Sequence, residues 1–116
     1  KIKKDFCYLS GEDGTALAYL VQGGNGCISV TANIAPKLCS ELHNYWKNKE
    51  IDKALQINLK LAKIHHALFI ESSPGPVKYA AELLNLCSAE TRLPIAPIKD
   101  STKLIIKKCM NEANLI

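Results

Sequence analysis

The chain has 116 residues, of which 47% are hydrophobic, 22% charged and 6% aromatic, with six Gly, five Pro and a net charge of +4. That is the size and composition of one small globular domain or a piece of one, and it excludes disordered, collagen-like and low-complexity chains. No stretch approaches the roughly 20 apolar residues of a spanning helix, and the opening Lys1-Ile2-Lys3-Lys4-Asp5 lacks the apolar run of a signal peptide, so neither membrane insertion nor secretion is expected.

The five cysteines, Cys7, Cys27, Cys39, Cys87 and Cys109, are odd in number, widely spaced and without a Cys-x-x-Cys pair. They read as reduced, mostly buried thiols of a cytoplasmic protein. The lysines behind the positive charge are spread along the chain, which does not make a nucleic-acid footprint. Lys1 is the first residue and Met110 the only methionine, so either a start has been trimmed or the chain is a piece of something longer.

In chain order, residues 6–9 form a short apolar run, Ser10-Gly11-Glu12-Asp13-Gly14 breaks it, and Ala16, Leu17, Leu20 and Val21 follow at helical spacing. The pattern is strand, turn, helix. Asp13 is placed to cap that helix, and Gly23-Gly24 can supply the left-handed residue that ends it. A β-branched second strand is predicted over 27–31, then a helix over 34–48 with Asn33 as cap and Pro36 in its first turn. Two strands joined by a helical crossover should be parallel.

From residue 50 the chain turns helical. Helices are predicted over 50–71, 77–86 and 101–113, the last with Ser101 near its cap, while the proline-rich 91–97 should be extended. A lone parallel pair leaves two unpaired edges that helices can cover but cannot hydrogen-bond. The expected fold class is therefore α/β, the end of a larger (β/α)8 barrel: residues 1–48 supply its last two β/α units and residues 49–116 a C-terminal helical extension.

Four blocks carry a resemblance that covers most of the chain. They are Leu9-Ser10-Gly11-Glu12-Asp13, Gly23-Gly24-Asn25-Gly26-Cys27-Ile28-Ser29-Val30-Thr31-Ala32-Asn33, Phe69-Ile70-Glu71-Ser72-Ser73-Pro74-Gly75-Pro76-Val77-Lys78, and Arg92-Leu93-Pro94-Ile95-Ala96-Pro97. In order and spacing they resemble the C-terminal two-fifths of the dihydrodipicolinate synthases, pyruvate-dependent class I aldolase-type lyases of lysine and diaminopimelate synthesis. The resemblance implies that the two strands are the seventh and eighth of the barrel and that Gly11 and Ile28 line the pyruvate pocket. It implies pyruvate and aspartate semialdehyde as substrates, no metal or organic cofactor, and a homo-oligomer when complete.

The resemblance also implies that the Schiff-base lysine, and the tyrosine and threonine that relay protons, precede Lys1. Lys78 belongs to a helix start and Lys3 and Lys4 precede the first strand, so none of them is a substitute. The chain alone is expected to be inactive. Its rivals are a sialic acid or keto-deoxy sugar lyase of the same family, and a non-catalytic truncated product or interaction module.

Other constellations have plainer readings. Gly11 can serve a turn as well as a ligand, and Ile28 can fill a barrel as well as line a pocket. The glycines at 23, 24 and 26 run from helix to strand, the reverse of a phosphate loop. Glu12 and Asp13 are adjacent in a turn and suit capping better than paired acid–base work. Cys39 and His43 share a helix face, as a thiolate–imidazole pair would require, or as a core thiol beside a rim imidazole. His65 and His66 point to different sides of a helix and cannot share a metal. Lys103, Lys107 and Lys108 read as a solvated helix face.

Overall fold

The computed structural model describes residues 5–116; Lys3 and Lys4 lie outside the described residues. Strand β1 is Leu9–Ser10, helix α1 is Ala16–Val21, and strand β2 is Gly26–Cys27. A single 3-10 turn over Thr31–Asn33 leads into α2, Pro36–Lys47. Helices α3, Ile51–Ala67, α4, Gly75–Leu83, and α5, Asp100–Glu112, complete the chain.

The strands are parallel, with Leu9 opposite Gly26 and Ser10 opposite Cys27. Both are shorter than the apolar runs over 6–9 and 27–31 predict. Their pairing is extended by single bonds at either end, Asn25 N–H to Tyr8 O at 2.8 Å and Ile28 N–H to Ser10 O at 2.8 Å. With one hydrogen-bonded neighbour each, the strands have one edge apiece without a ladder partner among the described residues.

Gly23 ends α1 in the left-handed region, φ 98°, as its position predicts. Gly24 matters for a different reason: a Cβ there would lie 2.2 Å from the Tyr19 ring, so only glycine lets the turn close against α1. Pro36 occupies the first turn of α2, where its missing N–H costs nothing.

Three capping expectations are overturned. Asp13 offers no side-chain cap to α1; its backbone oxygen takes Ala16 N–H, and its carboxylate is used elsewhere. Asn33 does not cap α2 but donates its side-chain amide to Val30 O at 2.9 Å. Ser101 does not cap α5; Glu71 reaches across from the end of α3 to take Lys99 N–H at 3.0 Å. Hydrogen bonds from the Thr102 hydroxyl and the Lys99 amide hold the Glu71 carboxyl below its usual range. A carboxylate at that position also faces the positive end of the α5 dipole. Residues 91–97 are not fully extended either, because Ile95 N–H closes a turn onto Arg92 O at 3.1 Å.

The main core gathers α3, α4 and α5: Leu61, Ile64, Leu68, Ala80, Ile106 and Met110 are all fully buried. A second cluster joins Leu17 and Leu20 of α1 to Leu42 of α2 and Ala54 of α3, across the expected division at residue 48. The cysteine expectation fails in part, since Cys7 and Cys87 are exposed and only Cys109 is buried. Lys107 and Lys108 are solvated, and Lys103 pairs with Asp100 at 2.9 Å.

The radius of gyration is 15.2 Å, against about 13 Å for a free-standing domain of this length. Phe6, Leu9, Val21, Ile28, Leu55 and Leu59 are exposed. The 116-residue chain should therefore self-associate and bind a hydrophobic dye, measured by size-exclusion chromatography and dye fluorescence. Leu61→Ala should lower its unfolding free energy by about 2–5 kcal/mol in denaturant titrations, because the site is enclosed by three helices and cannot collapse around the void.

Candidate functional site

β1 and β2 run side by side and release their chains into turns at the same end. Continuing the register by one residue sets Gly11 beside Ile28, and the Ile28 N–H bond to Ser10 O makes that adjacency physical. Both sequence-predicted pocket residues are thus brought together. Ile28 is 71% exposed, and a Cβ on Gly11 would meet nothing within 4 Å. Among the described residues Gly11 has no steric need to be glycine.

Behind this pair lies a polar cluster that sequence reasoning saw only in fragments. Asp13 is a buried residue, 6% exposed. Its carboxylate accepts Val30 N–H at 2.8 Å, Thr31 N–H at 3.0 Å and the Ser29 hydroxyl. Ser29 Oγ in turn accepts Ala32 N–H at 2.8 Å. Ser10 forms a smaller version of the same device, its hydroxyl bonded to both the N–H and the carbonyl of Glu12 at 3.1 Å.

Thr31 is fully buried, and its Oγ1 is hydrogen-bonded to His65 Nδ1 at 2.7 Å. His65 sits on the buried face of α3 between Leu61, Ile64 and Leu68. Burial pushes its pKa below the ordinary value, against the opposing pull of Asp13 and Glu12. It is a satisfied neutral imidazole that ties the helical extension to the turn after β2. The sequence signal was available: a histidine on a core-facing stripe needs a buried partner.

Cys39 and His43 border the same cluster with Cys27 and Leu42, around a cavity of only about 20 Å³. That is room for one water and not for a substrate. Burial pushes the Cys39 thiol up to about 11, so it is no thiolate. Burial first and Asp13 second raise Cys27 as well. The arrangement favours the core-thiol reading over a nucleophilic pair.

A cavity of about 360 Å³ lies away from the strands, lined by Tyr79, Glu82, Thr91, Ile98 and Lys103 in the helical extension. At the strand ends the surface is open, which suits a mouth that several strands build together.

The sequence model of the Dihydrodipicolinate synthetase family matches residues 1–113. The chain belongs to that family. Among its relatives, the 4-hydroxy-tetrahydrodipicolinate synthase of Gluconacetobacter diazotrophicus is 49% identical over 113 residues, 97% of this chain and 38% of that protein. The enzyme of Rhodospirillum centenum is 47% identical over 116 residues, 100% of this chain and 40% of that protein. The dihydrodipicolinate synthase of Thermotoga maritima superposes with a TM-score of 0.95 at 34% identity, over 98% of this chain and 39% of that one. The chloride-inhibited enzyme of Acinetobacter baumannii, solved with pyruvate, gives 0.90 at 37% identity, over 96% and 38%. The chain thus spans about two-fifths of these relatives' length. Its fold is part of the (β/α)8 barrel of the dihydrodipicolinate synthases, with their helical extension.

The neutral His65 makes stability fall in acid. As pH drops through about 6.5 the unfolded imidazole takes up a proton that the folded one refuses, so the unfolded state gains until pH lies below the depressed folded value. The thermal midpoint should decline between pH 7 and 5, and His65→Gln should flatten that decline.

Proposed function

We propose that the chain is the C-terminal segment of a 4-hydroxy-tetrahydrodipicolinate synthase, with residues 1–48 as its last two β/α units and residues 49–116 as its helical extension. The complete enzyme condenses pyruvate with aspartate semialdehyde through a lysine Schiff base in the cytoplasm, and it is a homo-oligomer. The observation that carries this reading is near-complete coverage of the chain, at 47–49% identity, by a constant two-fifths of proteins of that name.

Within that reading Gly11 and Ile28 contribute to the pyruvate site. Their adjacency at one end of two parallel strands supports it. The glycine leaves room for a ligand or a neighbouring strand, and the isoleucine offers an apolar wall to the pyruvate methyl. Their side chains supply no amine, and several of the described lysines are paired within the helical part of the chain. Lys78 Nζ donates to Glu90 O, Lys53 pairs with Glu50, and Lys63 pairs with Glu112 at 2.7 Å. In this reading the reacting amine belongs to another part of the enzyme, as the family resemblance implies. The free state of all five cysteines supports the reducing compartment. The exposed apolar stripe of Ile51, Leu55 and Leu59 on α3 supports an assembled rather than solitary chain.

Borohydride reduction in the presence of pyruvate should leave the mass of the 116-residue chain unchanged and add one pyruvyl group to the complete enzyme. A pyruvyl adduct on a lysine of the short chain, with turnover, would overturn the assignment.

In the complete enzyme, Ile28→Asp should bring a carboxylate beside the carboxylate of pyruvate. Like charges about 4 Å apart repel by about 4 kcal/mol at an effective dielectric near 20, enough to weaken pyruvate by orders of magnitude in a calorimetric titration. Leu104→Asp, on the exposed face of α5, should leave the affinity unchanged.

A further inference from the structure

We infer that Asp13 is a positioning residue for the pyruvate end of the two strands, its carboxylate fixing the backbone on which Gly11 and Ile28 are mounted. The inference rests on the pyruvate site proposed above. Between these two strands the ladder is short, two matched residue pairs with one further backbone bond at either end, and no disulfide links the turns. Beyond the Ile28 N–H bond to Ser10 O, the contacts that join them come from the Asp13 side chain. Asp13 stands two residues after Gly11, and the groups it holds belong to the three residues that immediately follow Ile28.

The geometry favours a supporting part over a reacting one. Asp13 Oδ2 takes the N–H of both Val30 and Thr31, Oδ1 takes the Ser29 hydroxyl, and the carboxylate is buried. Three of its roughly four acceptor sites are thus taken by the protein itself. Thr31 is held from its other side by His65 of α3, so the clamped turn has a fixed base in the helical core.

The chemistry of the clamp separates two substitutions. Asparagine keeps an oxygen for both backbone N–H groups and can donate its amide to the second lone pair of Ser29 Oγ, so it reproduces every contact without the charge. Alanine leaves two N–H groups unpaired and frees the turn.

In the complete enzyme, Asp13→Ala should raise the pyruvate KM about ten- to a hundredfold, the usual consequence of misplacing a binding group by an ångström or less. Asp13→Asn should stay within about threefold of the unmodified enzyme. Amide hydrogen exchange at Val30 and Thr31 should be fast in the first variant and slow in the second.

A folded Asp13→Ala enzyme with an unchanged pyruvate KM would overturn the inference and leave Asp13 a purely stabilising residue. Asparagine as damaging as alanine, with both amides still protected, would overturn it in the other direction by showing that the charge acts on the reactants. If the alanine variant does not fold, the asparagine variant decides alone: protected amides with a near-normal KM support the clamp, and unprotected amides with a normal KM overturn it. Failure of the unmodified complete enzyme to bind pyruvate would sink the site reading itself, whereas pyruvate binding indifferent to Asp13→Ala sinks only the clamp.

Discussion

The buried carboxylate of Asp13 is the constraint on which the arrangement of the strand ends depends. An ionised oxygen pair taken out of water is tolerable only when donors replace the water, and here two backbone N–H groups and a hydroxyl do so. Removing any of these partners exposes a buried polar group to a penalty of about 1–3 kcal/mol. The turn after β1, the turn after β2 and, through Thr31 and His65, helix α3 are consequently one mechanical unit.

The same logic recurs at the other end of the chain. Glu71, just past α3, closes the first turn of α5 through Lys99 N–H, as Asp13 closes the segment leading to the 3-10 turn. In both cases the orphan amides at the start of a helical turn are met by an acid distant in sequence and not by a neighbouring cap. Helix ends that would otherwise fray are thereby tied to the tertiary fold. The helical extension is bound to the strand region by this chemistry and by the apolar cluster of Leu17, Leu20, Leu42 and Ala54.

Much of the architecture was legible because local rules and the final structure agree. Gly23 and Pro36 sit where helix termination and initiation require them, and the helical stretches follow from apolar spacing. The strand lengths were not legible, because a ladder reaches only as far as two chains run together, and here it has two matched pairs with one further bond at either end. The caps misread at Asp13 and Ser101 fail for a related reason. A local rule assigns an acid or hydroxyl to the nearest helix start, whereas partners 17 or 28 residues away were better placed. The adjacency of Gly11 and Ile28 was readable through the motif blocks and the parallel register. The cluster that supports it was not, since Asp13, Ser29, Thr31 and His65 are unremarkable singly and meet only in three dimensions.

Connections between a strand and the following helix are ordinarily where chains absorb change, since they lie at the surface and carry few obligatory bonds. Here both such connections are gauged against each other by the reach of a two-carbon side chain. One residue more or fewer between Ser10 and Asp13, or between Cys27 and Thr31, would carry the carboxylate out of register with its donors. The two stretches are thus length-locked as well as composition-dependent, and substitution is the only variation open to them.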